Sequence, residues 1–385
     1  MKRIAIIAVA YNRVKSLQRL LDSLKNAYYE NDSPTLIISI DKSEINEVEQ
    51  FADAFNWINK NKIVDKHSVN LGLRPHMMSL RKWFDSFDAL VVLEDDIVVS
   101  KNFYYYVRQC VDKYYEDKNV AGISLYNFEF NYQTEKPFHP FKDENDAYFM
   151  QCAMSWGEVW MKSSWQLFFD WYKQNEAFPP TKELPKRILG WGKNSWLKYH
   201  TRYCVERNLY FVYPYISLST NFGDAGVHSL LSYRSAYQTT LQNGSKKKYF
   251  LPDLDCGVKY DVYFENSALY TILSLSKDNC CLDLQGGNNN ELNKRFWLTT
   301  KRLNYKIVRS FSLQLRPIEE NIFFNLEGFG IFLYDTTITE RNPIHHVNNS
   351  FLYSYYIDDI LNFIRKYGIT ILLKDIFKRI TNHLL

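Results

Sequence analysis

The chain has 385 residues, of which 23% are charged, and its formal net charge is +4 at pH 7. This length is enough for two or three structural units. The balanced charge argues against a dedicated nucleic-acid binder, which concentrates its basic residues in one stripe. The six cysteines form no Cys-x-x-Cys pair, so we predict neither a disulfide framework nor a zinc site.

Short apolar runs alternate with helical patterns over the first 126 residues, which is typical of a parallel sheet with crossover helices. The run Ile4–Ala10 is apolar throughout, as the strands of buried parallel sheets are. Val14, Leu17, Leu20, Leu21 and Leu24 then follow at helical spacing. The pattern predicts strands at 4–10, 36–40, 63–67, 89–93 and 120–125, and helices at 14–27, 44–57 and 75–87.

The next segment is less regular. Residues 130–147 are polar and are predicted to form loops, and residues 148–172 hold a dense aromatic block. Prolines interrupt residues 176–190. A helix over 191–208 and a strand at 210–213 follow.

The pattern changes again near residue 240, so we predict one domain over 1–240 and a C-terminal α+β extension over 241–385. The extension begins with short strands and ends in amphipathic helices. In residues 369–385, apolar residues share one helical face and Lys374, Lys378 and Arg379 lie toward its flanks. Such a helix either packs on the preceding strands or docks on an anionic membrane surface.

Neither a secretory signal nor a run of about 20 apolar residues is recognisable. We therefore predict a cytoplasmic protein, peripheral on the inner face of the plasma membrane if the C-terminal helix docks there.

Three consecutive acids, Glu94, Asp95 and Asp96, directly follow the predicted strand at 89–93. In open α/β sheets, ligands bind beyond the carboxyl ends of the strands. Clustered carboxylates at such an edge are ligands for Mg²⁺ or Mn²⁺, which would bridge them to phosphate oxygens. The other interpretation is a solvated acidic turn or the start of a helix, where acids are also favoured.

Two further polar residues follow strands that end at the same edge. Arg13, after the first strand, suits a base or a phosphate, although taken alone it is more typical of an exposed helix start. Asp41, after the second strand, suits a nucleobase N–H, or the capping of a turn. A third segment, the loop over 221–228, contains two glycines and His228. This histidine suits a metal or a diphosphate, or is an ordinary loop residue.

Taken together, these segments resemble the N-acetylglucosaminyltransferase I family and its bacterial GT-A relatives. The matching pieces stand in the same order over about residues 1–235. They are Ala8-Val9-Ala10-Tyr11-Asn12-Arg13, Ile37-Ile38-Ser39-Ile40-Asp41, Asn70-Leu71-Gly72-Leu73-Arg74, Leu93-Glu94-Asp95-Asp96, Ser155-Trp156-Gly157, and Tyr213-Pro214-Tyr215-Ile216-Ser217 leading to Asn221-Phe222-Gly223 and Gly226-Val227-His228.

The resemblance implies a GT-A, Rossmann-like α/β fold with a donor part over about 1–126 and an acceptor part over about 127–240. It implies a metal-dependent glycosyltransferase that moves a hexosyl or N-acetylhexosaminyl group. The donor is a nucleotide-sugar such as a UDP-sugar, and the acceptor is a glycan or a lipid-linked glycan. An inverting reaction in bacterial surface polysaccharide synthesis is the setting expected by analogy.

By the same resemblance, each candidate residue has an expected role. Asp96 binds Mn²⁺ or Mg²⁺ directly, and His228 contacts the metal or the diphosphate. Asp95 contacts the sugar or ribose, and Arg13 and Asp41 contact the base. Glu94 and Arg74 complete the donor side, and Trp156, Gly157 and Trp191 form the acceptor side.

The chain departs from the family at the catalytic base. The family has an aspartate at a Trp-Asp-Asp-Trp-like helix start, but this chain reads Trp191-Gly192-Lys193-Asn194-Ser195-Trp196. An inverting transfer needs a base within reach of the acceptor hydroxyl, and Glu158, Glu183 and Asp224 are unranked candidates.

Two alternatives remain at this stage. A nucleotidyltransferase also needs paired acids, although residues 8–16 lack the glycines of a phosphate loop. The missing aspartate leaves open a non-catalytic glycan-binding protein on the same scaffold.

Overall fold

The computed structural model describes residues 1–58, 61–179, 181–224, 237–342, 364, 368–370 and 373. These residues form strands β1 (Ile4–Ala10), β2 (Thr35–Ile40), β3 (Lys62–Lys66), β4 (Ala89–Glu94), β5 (Ile97–Val99), β6 (Val120–Ser124), β7 (Phe130–Asn131), β8 (Lys136–Pro137), β9 (Ala147–Met150), β10 (Glu158–Met161), β11 (Tyr210–Pro214), β12 (Ser219–Asn221), β13 (Lys259–Tyr260), β14 (Cys280–Asp283), β15 (Phe296–Thr299), β16 (Tyr305–Phe311) and β17 (Ile331–Thr339). The α-helices are α1 (Val14–Lys25), α2 (Glu47–Ala54), α3 (Leu73–Ser79), α4 (Phe103–Tyr114), α5 (Lys162–Gln174), α6 (Lys186–Leu189), α7 (Leu197–Arg207), α8 (Ala268–Ile272) and α9 (Glu320–Phe323).

A nine-stranded sheet forms the centre of the molecule, in the order β13-β9-β11-β6-β10-β4-β1-β2-β3. Five neighbouring pairs are parallel, namely β13–β9, β11–β6, β4–β1, β1–β2 and β2–β3. The remaining three pairs are antiparallel because β10 runs against both of its neighbours and β9 runs against β11. This sheet confirms the predicted α/β class with a mostly parallel sheet.

Helices cover both faces of the sheet, and strand β1 shows why. Its residues Ile4, Ile6, Ala8 and Ala10 belong to one apolar core, whereas Ala5, Ile7 and Val9 belong to the other. Successive side chains of a strand point to opposite faces, so a strand that is apolar throughout needs a helical layer on each side. Helices α1, α2 and α4 pack on the first face, and α3, α5 and α7 pack on the second.

Some predicted boundaries differ from the observed ones. The helix expected over 75–87 begins at Leu73 and continues from Leu80 as a 3-10 helix that ends at Asp85. The helix expected over 191–208 starts only at Leu197. The polar stretch at 130–147, predicted as loops, contains the short antiparallel pair β7–β8, because two-residue strands leave no periodic pattern in a sequence.

The C-terminal part forms a second sheet in the order β14-β15-β17-β16. Its apolar core includes Leu282, Leu298 and Leu333. The segment that precedes this sheet contacts the first part of the molecule in two places. The hydroxyl of Tyr114 on α4 donates a hydrogen bond to the carbonyl of Pro252 (2.5 Å). Strand β13 pairs with β9 and so joins the central sheet. The predicted domain boundary near residue 240 stays a prediction.

The predicted C-terminal membrane-docking helix over 369–385 lies almost wholly outside the described residues, which include only 369, 370 and 373 of it. Within the part of the chain that the structure describes, no helix combines the length and apolar character that crossing a membrane requires.

Candidate functional site

The predicted acidic residues lie at the carboxyl edge of the central sheet. Strand β4 ends at Glu94, Asp95 and Asp96 form a turn, and β5 begins at Ile97. The backbone N–H of Asp41, which follows β2, donates a hydrogen bond to the carbonyl of Ala10 at the end of β1 (3.0 Å). The ends of these three neighbouring parallel strands therefore form one continuous edge.

Arg13, at the start of α1, is paired with this acidic turn. Its Nε lies 3.3 Å from Oδ2 of Asp95, and a terminal guanidinium nitrogen donates to Oδ1 of the same carboxylate. That nitrogen also lies 3.8 Å from Oδ2 of Asp96. A two-point contact of this kind fixes the orientation of both planar groups. The structure therefore brings Arg13 together with two of the predicted acids, Asp95 and Asp96, although 82 positions separate Arg13 from Asp95 in the sequence.

Burial makes the negative charge of the acidic turn costly. Asp95 is only 4% exposed, and burial raises its pKa to about 6 although Arg13 acts to lower it. Burial and repulsion from Asp96 and Asp95 also raise the pKa of Glu94, against a hydrogen bond from Ser155 that lowers it. The pKa of Asp96 is raised as well, first by burial. Repulsion among buried carboxylates is relieved when a cation binds between them.

The residues of this edge meet some requirements of a divalent cation. Oδ1 of Asp96 is buried and has no hydrogen-bond partner, so it is available as a ligand, and carboxylate oxygen suits a hard cation. The described residues contain no group of three His, Cys, Asp or Glu side chains arranged to hold a metal. The predicted second ligand, His228, lies outside the described residues.

Asp224 is also near the acidic turn, where helix α1 holds it. Its Oδ2 accepts hydrogen bonds from the hydroxyl of Ser16 (2.6 Å) and from the guanidinium of Arg19. The guanidinium of Arg19 lies over the ring of Phe222 at 3.6 Å. Asp224 is close enough to oppose the ionisation of Asp95 and Asp96 by repulsion. Sequence reasoning did not single out Ser16 and Arg19, although they stand three and six residues after Arg13.

Asp41 is at the predicted edge but already has three partners. Its two carboxylate oxygens accept the backbone N–H groups of Lys42 (2.9 Å), Leu71 (2.8 Å) and Gly72 (2.9 Å). Asp41 therefore holds the turn that precedes α3, where Gly72 has a φ of +74°, a value that favours glycine. Its expected contact with a nucleobase stays a prediction.

We expect Asp41→Ala to lower the free energy of unfolding by about 1–3 kcal/mol, because the partly buried N–H groups of Leu71 and Gly72 lose their acceptor. Urea denaturation measures this effect, and Asp53→Ala, at an exposed site, is the matched control. If Asp41 also contacts the base, calorimetry with UDP shows weaker binding in Asp41→Ala. Unchanged stability would contradict the structural role.

Arg74 lies just after this turn and faces helix α7 instead of the acids. Its guanidinium donates a hydrogen bond to the hydroxyl of Tyr199 (2.8 Å) and lies 5.2 Å from the centre of that ring. No contact between Arg74 and the acidic turn is recorded among the described residues. Its predicted role in donor binding remains untested.

The predicted acceptor-side residues occupy two places. Trp156 packs on Tyr126 with ring centres 4.9 Å apart, and its carbonyl accepts a hydrogen bond from Ser219. Gly157 has a φ of +103°, and a Cβ there would lie 2.8 Å from Oγ of Ser219. Because the preceding Ser155 interacts with Glu94, this segment borders the acidic turn. Trp191 lies elsewhere, stacked on Tyr132 at 5.8 Å.

Glu158, the first base candidate, is inside the sheet. It is 1% exposed, and its two oxygens accept hydrogen bonds from the backbone N–H of Met154 and the indole of Trp160, both at 2.7 Å. Burial raises its pKa to about 8, so it holds a proton at neutral pH. A general base must be deprotonated and must reach the acceptor, so this environment does not favour Glu158 in that role.

Glu158 also makes stability depend on pH. The folded chain keeps its proton up to about pH 8, whereas the usual pKa is 4.5. The folded state thus binds more protons than the unfolded state, and its stability falls as the pH rises between these values. We expect urea denaturation to show a shallower fall in Glu158→Gln than in the wild type. The exposed-site control Glu116→Gln should retain the wild-type slope, and equal slopes in all three proteins would refute the expectation.

Glu183, another base candidate, is not brought to the acidic turn. It lines a cavity of about 190 Å³ together with Gln151, Glu206 and Asp261. Gln151 directly follows the end of β9, which pairs with the beginning of β11, and β11 is parallel to β6. The cavity is therefore at the amino-terminal edge of the parallel strands, opposite the acids.

Fold and site together define an α/β protein whose mostly parallel sheet has a buried acidic turn, paired with an arginine, at its carboxyl edge. No protein-family model and no curated protein matches the chain. The comparisons with solved structures find partial similarity.

S. aureus TarS 1-349 in complex with UDP-GlcNAc is 14% identical over 63% of this chain and 60% of its own, with a TM-score of 0.36. The mannosyltransferase PcManGT from Pyrobaculum calidifontis, in complex with GDP-Man and Mn²⁺, is 10% identical over 56% and 57%, with a TM-score of 0.34. GalNAc-T7 with UDP, GalNAc and Mn²⁺ is 13% identical over 56% and 43%, with a TM-score of 0.38. The matches thus span less than two thirds of each of these structures. Because the identities and TM-scores are low, these similarities define neither a fold family nor an activity for this chain.

Proposed function

We propose that this chain is a metal-dependent glycosyltransferase of the GT-A type, which transfers a sugar from a nucleotide-diphosphate donor to a glycan hydroxyl. The observation that carries the proposal is the acidic turn at the carboxyl edge of the sheet. It combines a buried carboxylate paired with Arg13 and a buried Asp96 oxygen without a partner. The resemblance of the motifs to the N-acetylglucosaminyltransferase I family and its bacterial relatives supports the same function.

Asp96 is the residue that would hold Mn²⁺ or Mg²⁺, and such an ion would offset the negative charge of a departing diphosphate. Arg13 lies beside Asp96 and presents a fixed guanidinium to the same region, where it suits an anionic donor. His228 is proposed as a further metal or diphosphate contact. Arg19 was not predicted, but its pairing with Asp224 makes it a second cationic group next to the site.

Asp224 is our choice for the catalytic base. Of the three candidates, Glu158 is enclosed by its hydrogen-bond donors and Glu183 lies at the opposite edge. Asp224 lies close enough to the acidic turn for its charge to raise the pKa values of Asp95 and Asp96. Ser16 and Arg19 hold its carboxylate in place. A base positioned by fixed neighbours can accept a proton from an acceptor hydroxyl, which is the step that inversion requires.

We expect Asp224→Asn to lower the rate of transfer by about 100-fold or more, the typical contribution of general base catalysis. Binding of UDP and Mn²⁺, measured by calorimetry, should change little because the site keeps its shape. Ser33→Ala, at an exposed position, serves as the control for expression and handling. Transfer at the wild-type rate would exclude Asp224 as the base.

The proposed function is tested with a panel of nucleotide-sugars, with and without Mn²⁺, in which release of the nucleoside diphosphate is measured. Donor hydrolysis that requires the metal supports a glycosyltransferase. Release of pyrophosphate from a nucleoside triphosphate would indicate a nucleotidyltransferase. Glycan binding without turnover of any donor would indicate a binding protein on the same scaffold.

The proposal also covers the type of reaction, the acceptor and the place in the cell where the protein acts. We infer an inverting hexosyl- or N-acetylhexosaminyltransferase that acts in the bacterial cytoplasm on a surface polysaccharide or a lipid-linked glycan. Contact of residues 369–385 with the inner face of the plasma membrane would bring such an acceptor to the site. Flotation with anionic liposomes, comparing the full chain with one that ends at Tyr367, examines this contact.

A further inference from the structure

A second cavity with fixed polar groups lies at the edge of the central sheet opposite the acidic turn. It is the cavity of about 190 Å³ that Gln151 and Glu183 line, and the loop between β14 and β15 contributes Asn288 and Glu291 to its wall. The cavity is therefore formed where the central sheet meets the C-terminal sheet. Ligand sites are typically concave, with a few placed polar groups that orient the ligand.

Gln151 supplies the first of these polar groups. The residue is only 2% exposed, and its Nε2 donates a hydrogen bond to Oδ1 of Asn208, at the end of α7 (3.0 Å). Oε1 accepts no hydrogen bond from any residue that the structure describes, and it is not fully enclosed by protein atoms. Buried acceptors normally have a partner, so this oxygen is available to a donor that enters the cavity.

The carboxylate of Asp261, in the same lining, is shared between the fold and the cavity. Its Oδ1 accepts the backbone N–H groups of Tyr263 (2.8 Å) and Glu265 (3.0 Å). Its Oδ2 has no hydrogen-bond partner within the described ranges of the chain and is likewise not fully enclosed. Asp261 is thus held rigidly by one oxygen and offers the other.

The two free oxygens belong to neighbouring positions on paired strands. Strands β9 and β13 are parallel with Met150 opposite Tyr260, and the backbone N–H of Gln151 donates a hydrogen bond to the carbonyl of Tyr260 (3.1 Å). Gln151 and Asp261 each follow directly, on backbones that are about 5 Å apart. Two acceptors at this separation suit two hydroxyl groups of one ring.

Other lining groups complement these acceptors. Oδ1 of Asn288 accepts the backbone N–H of Asn290 (3.2 Å), which leaves the amide nitrogen of Asn288 as a donor. Tyr263 and Tyr270 add aromatic surface. A sugar hydroxyl both donates and accepts hydrogen bonds, and the apolar face of a sugar ring packs on aromatic rings.

The charge of the lining favours an uncharged ligand. Three lysines and four acids line the cavity. Two of the acids, Glu206 and Glu291, pair with Arg202 and Lys186, which are outside the lining. The charges that remain nearly cancel, so the cavity selects neither an anion nor a cation. Within the described residues, moreover, no three His, Cys, Asp or Glu side chains are arranged to hold a metal.

We propose that this cavity binds one sugar unit of a carbohydrate, whose hydroxyl groups donate hydrogen bonds to Oε1 of Gln151 and Oδ2 of Asp261. Its volume is below the range of about 300–1,000 Å³ typical of sites for larger ligands, so it suits a single sugar ring better than a nucleotide-sugar. The inference goes beyond the proposed function, because the cavity is at the opposite edge of the sheet from Asp96 and needs no reaction there.

Saturation transfer difference NMR tests the proposal, with the methyl glycosides of glucose, galactose, mannose and N-acetylglucosamine and without metal or nucleotide. Asp261→Asn keeps an oxygen for the two backbone N–H groups but replaces Oδ2 with an amide donor. It should weaken binding of the preferred glycoside by about tenfold or more, as loss of a hydrogen bond to a charged group does. Asp85→Asn, at an exposed position outside the lining, should bind like the wild type.

A second measurement uses the wild-type protein, so it does not depend on how the variant folds. The preferred sugar is prepared as its methyl selenoglycoside and soaked into crystals, and the selenium is located by anomalous scattering. It should lie in the cavity beside Gln151 and Asp261. Cellotetraose, compared with methyl glucoside by NMR, distinguishes the source of the sugar unit, since tighter binding of the tetrasaccharide indicates a glycan chain.

The outcomes keep this inference separate from the proposed function. Equal binding in the wild type and in folded Asp261→Asn overturns it, as does a selenium position outside the cavity or the failure of all four glycosides to bind. Asp96→Ala should bind the glycoside like the wild type although it loses transfer. If the glycoside occupies the cavity but no nucleotide-sugar is turned over, the proposed function fails and this inference stands.

Discussion

Asp96→Ala is expected to abolish metal-dependent transfer and leave the fold intact. The carboxylate has one buried oxygen without a partner, so its removal breaks no hydrogen bond at that atom but removes the proposed metal ligand. A metal ion that stabilises a departing diphosphate contributes several kcal/mol, so we expect kcat to fall by about 1,000-fold or more. Product formation in the presence of saturating Mn²⁺ measures this loss.

Whereas the activity of Asp96→Ala should fall, its stability should stay the same or rise. Burial opposes the ionisation of Asp96, and Asp96 in turn raises the pKa of Glu94. Removing one of these carboxylates relieves repulsion, so Asp96→Ala should unfold at the same or a higher urea concentration than the metal-free wild type. Asp170→Ala, at an exposed position on α5, is the control and should change neither quantity. Transfer at the wild-type rate in Asp96→Ala would falsify the metal assignment.

Arg13→Ala should have the largest effect on donor binding. A hydrogen bond to a charged group contributes about 1.5–3 kcal/mol, so we expect affinity for UDP to fall by about 10- to 100-fold. Removal of the guanidinium also deprives buried Asp95 of its partner, which should raise the pKa of Asp95 further above its present value of about 6. Calorimetry with UDP and Mn²⁺ measures the affinity.

Two companion variants define the cause of this effect. Arg13→Lys keeps the charge but not the two-point contact with Asp95, so it should recover only part of the affinity. Arg207→Ala, an exposed site near the opposite edge of the sheet, should bind UDP normally. If Arg13→Ala binds UDP with wild-type affinity, the contact between Arg13 and Asp95 serves the fold alone.

The strands and their shared edge could be predicted from the sequence, because buried parallel strands leave long apolar runs. Strand β1 is apolar over its whole length, and the polar residues that follow β1, β2 and β4 mark where these strands end. Since the carboxyl ends of parallel strands meet at one edge, the pattern placed Arg13 and Asp95, which are in contact, and Asp41, which follows β2, at the same edge. The acidic turn is the part of the site that local sequence describes best.

Other features depend on contacts between distant segments, which no local pattern records. Glutamate is a residue type that is usually exposed, yet β10 inserts between β4 and β6 and encloses Glu158. Arg19 meets Asp224 across 205 positions. Asp41 accepts N–H groups from a turn 30 residues later, and its partners depend on the exact backbone path of that turn. These are tertiary properties, so composition and periodicity could not indicate them.

The position of β10 has a consequence for dividing this protein into fragments. Strand β10 lies between β4 and β6, and it joins the two halves of the central sheet. A fragment that ends near residue 126 contains the acidic turn but lacks β10, so one whole side of β4 has no backbone partner. An apolar edge strand left open in this way invites pairing with other chains. A soluble N-terminal fragment must therefore extend at least through Met161.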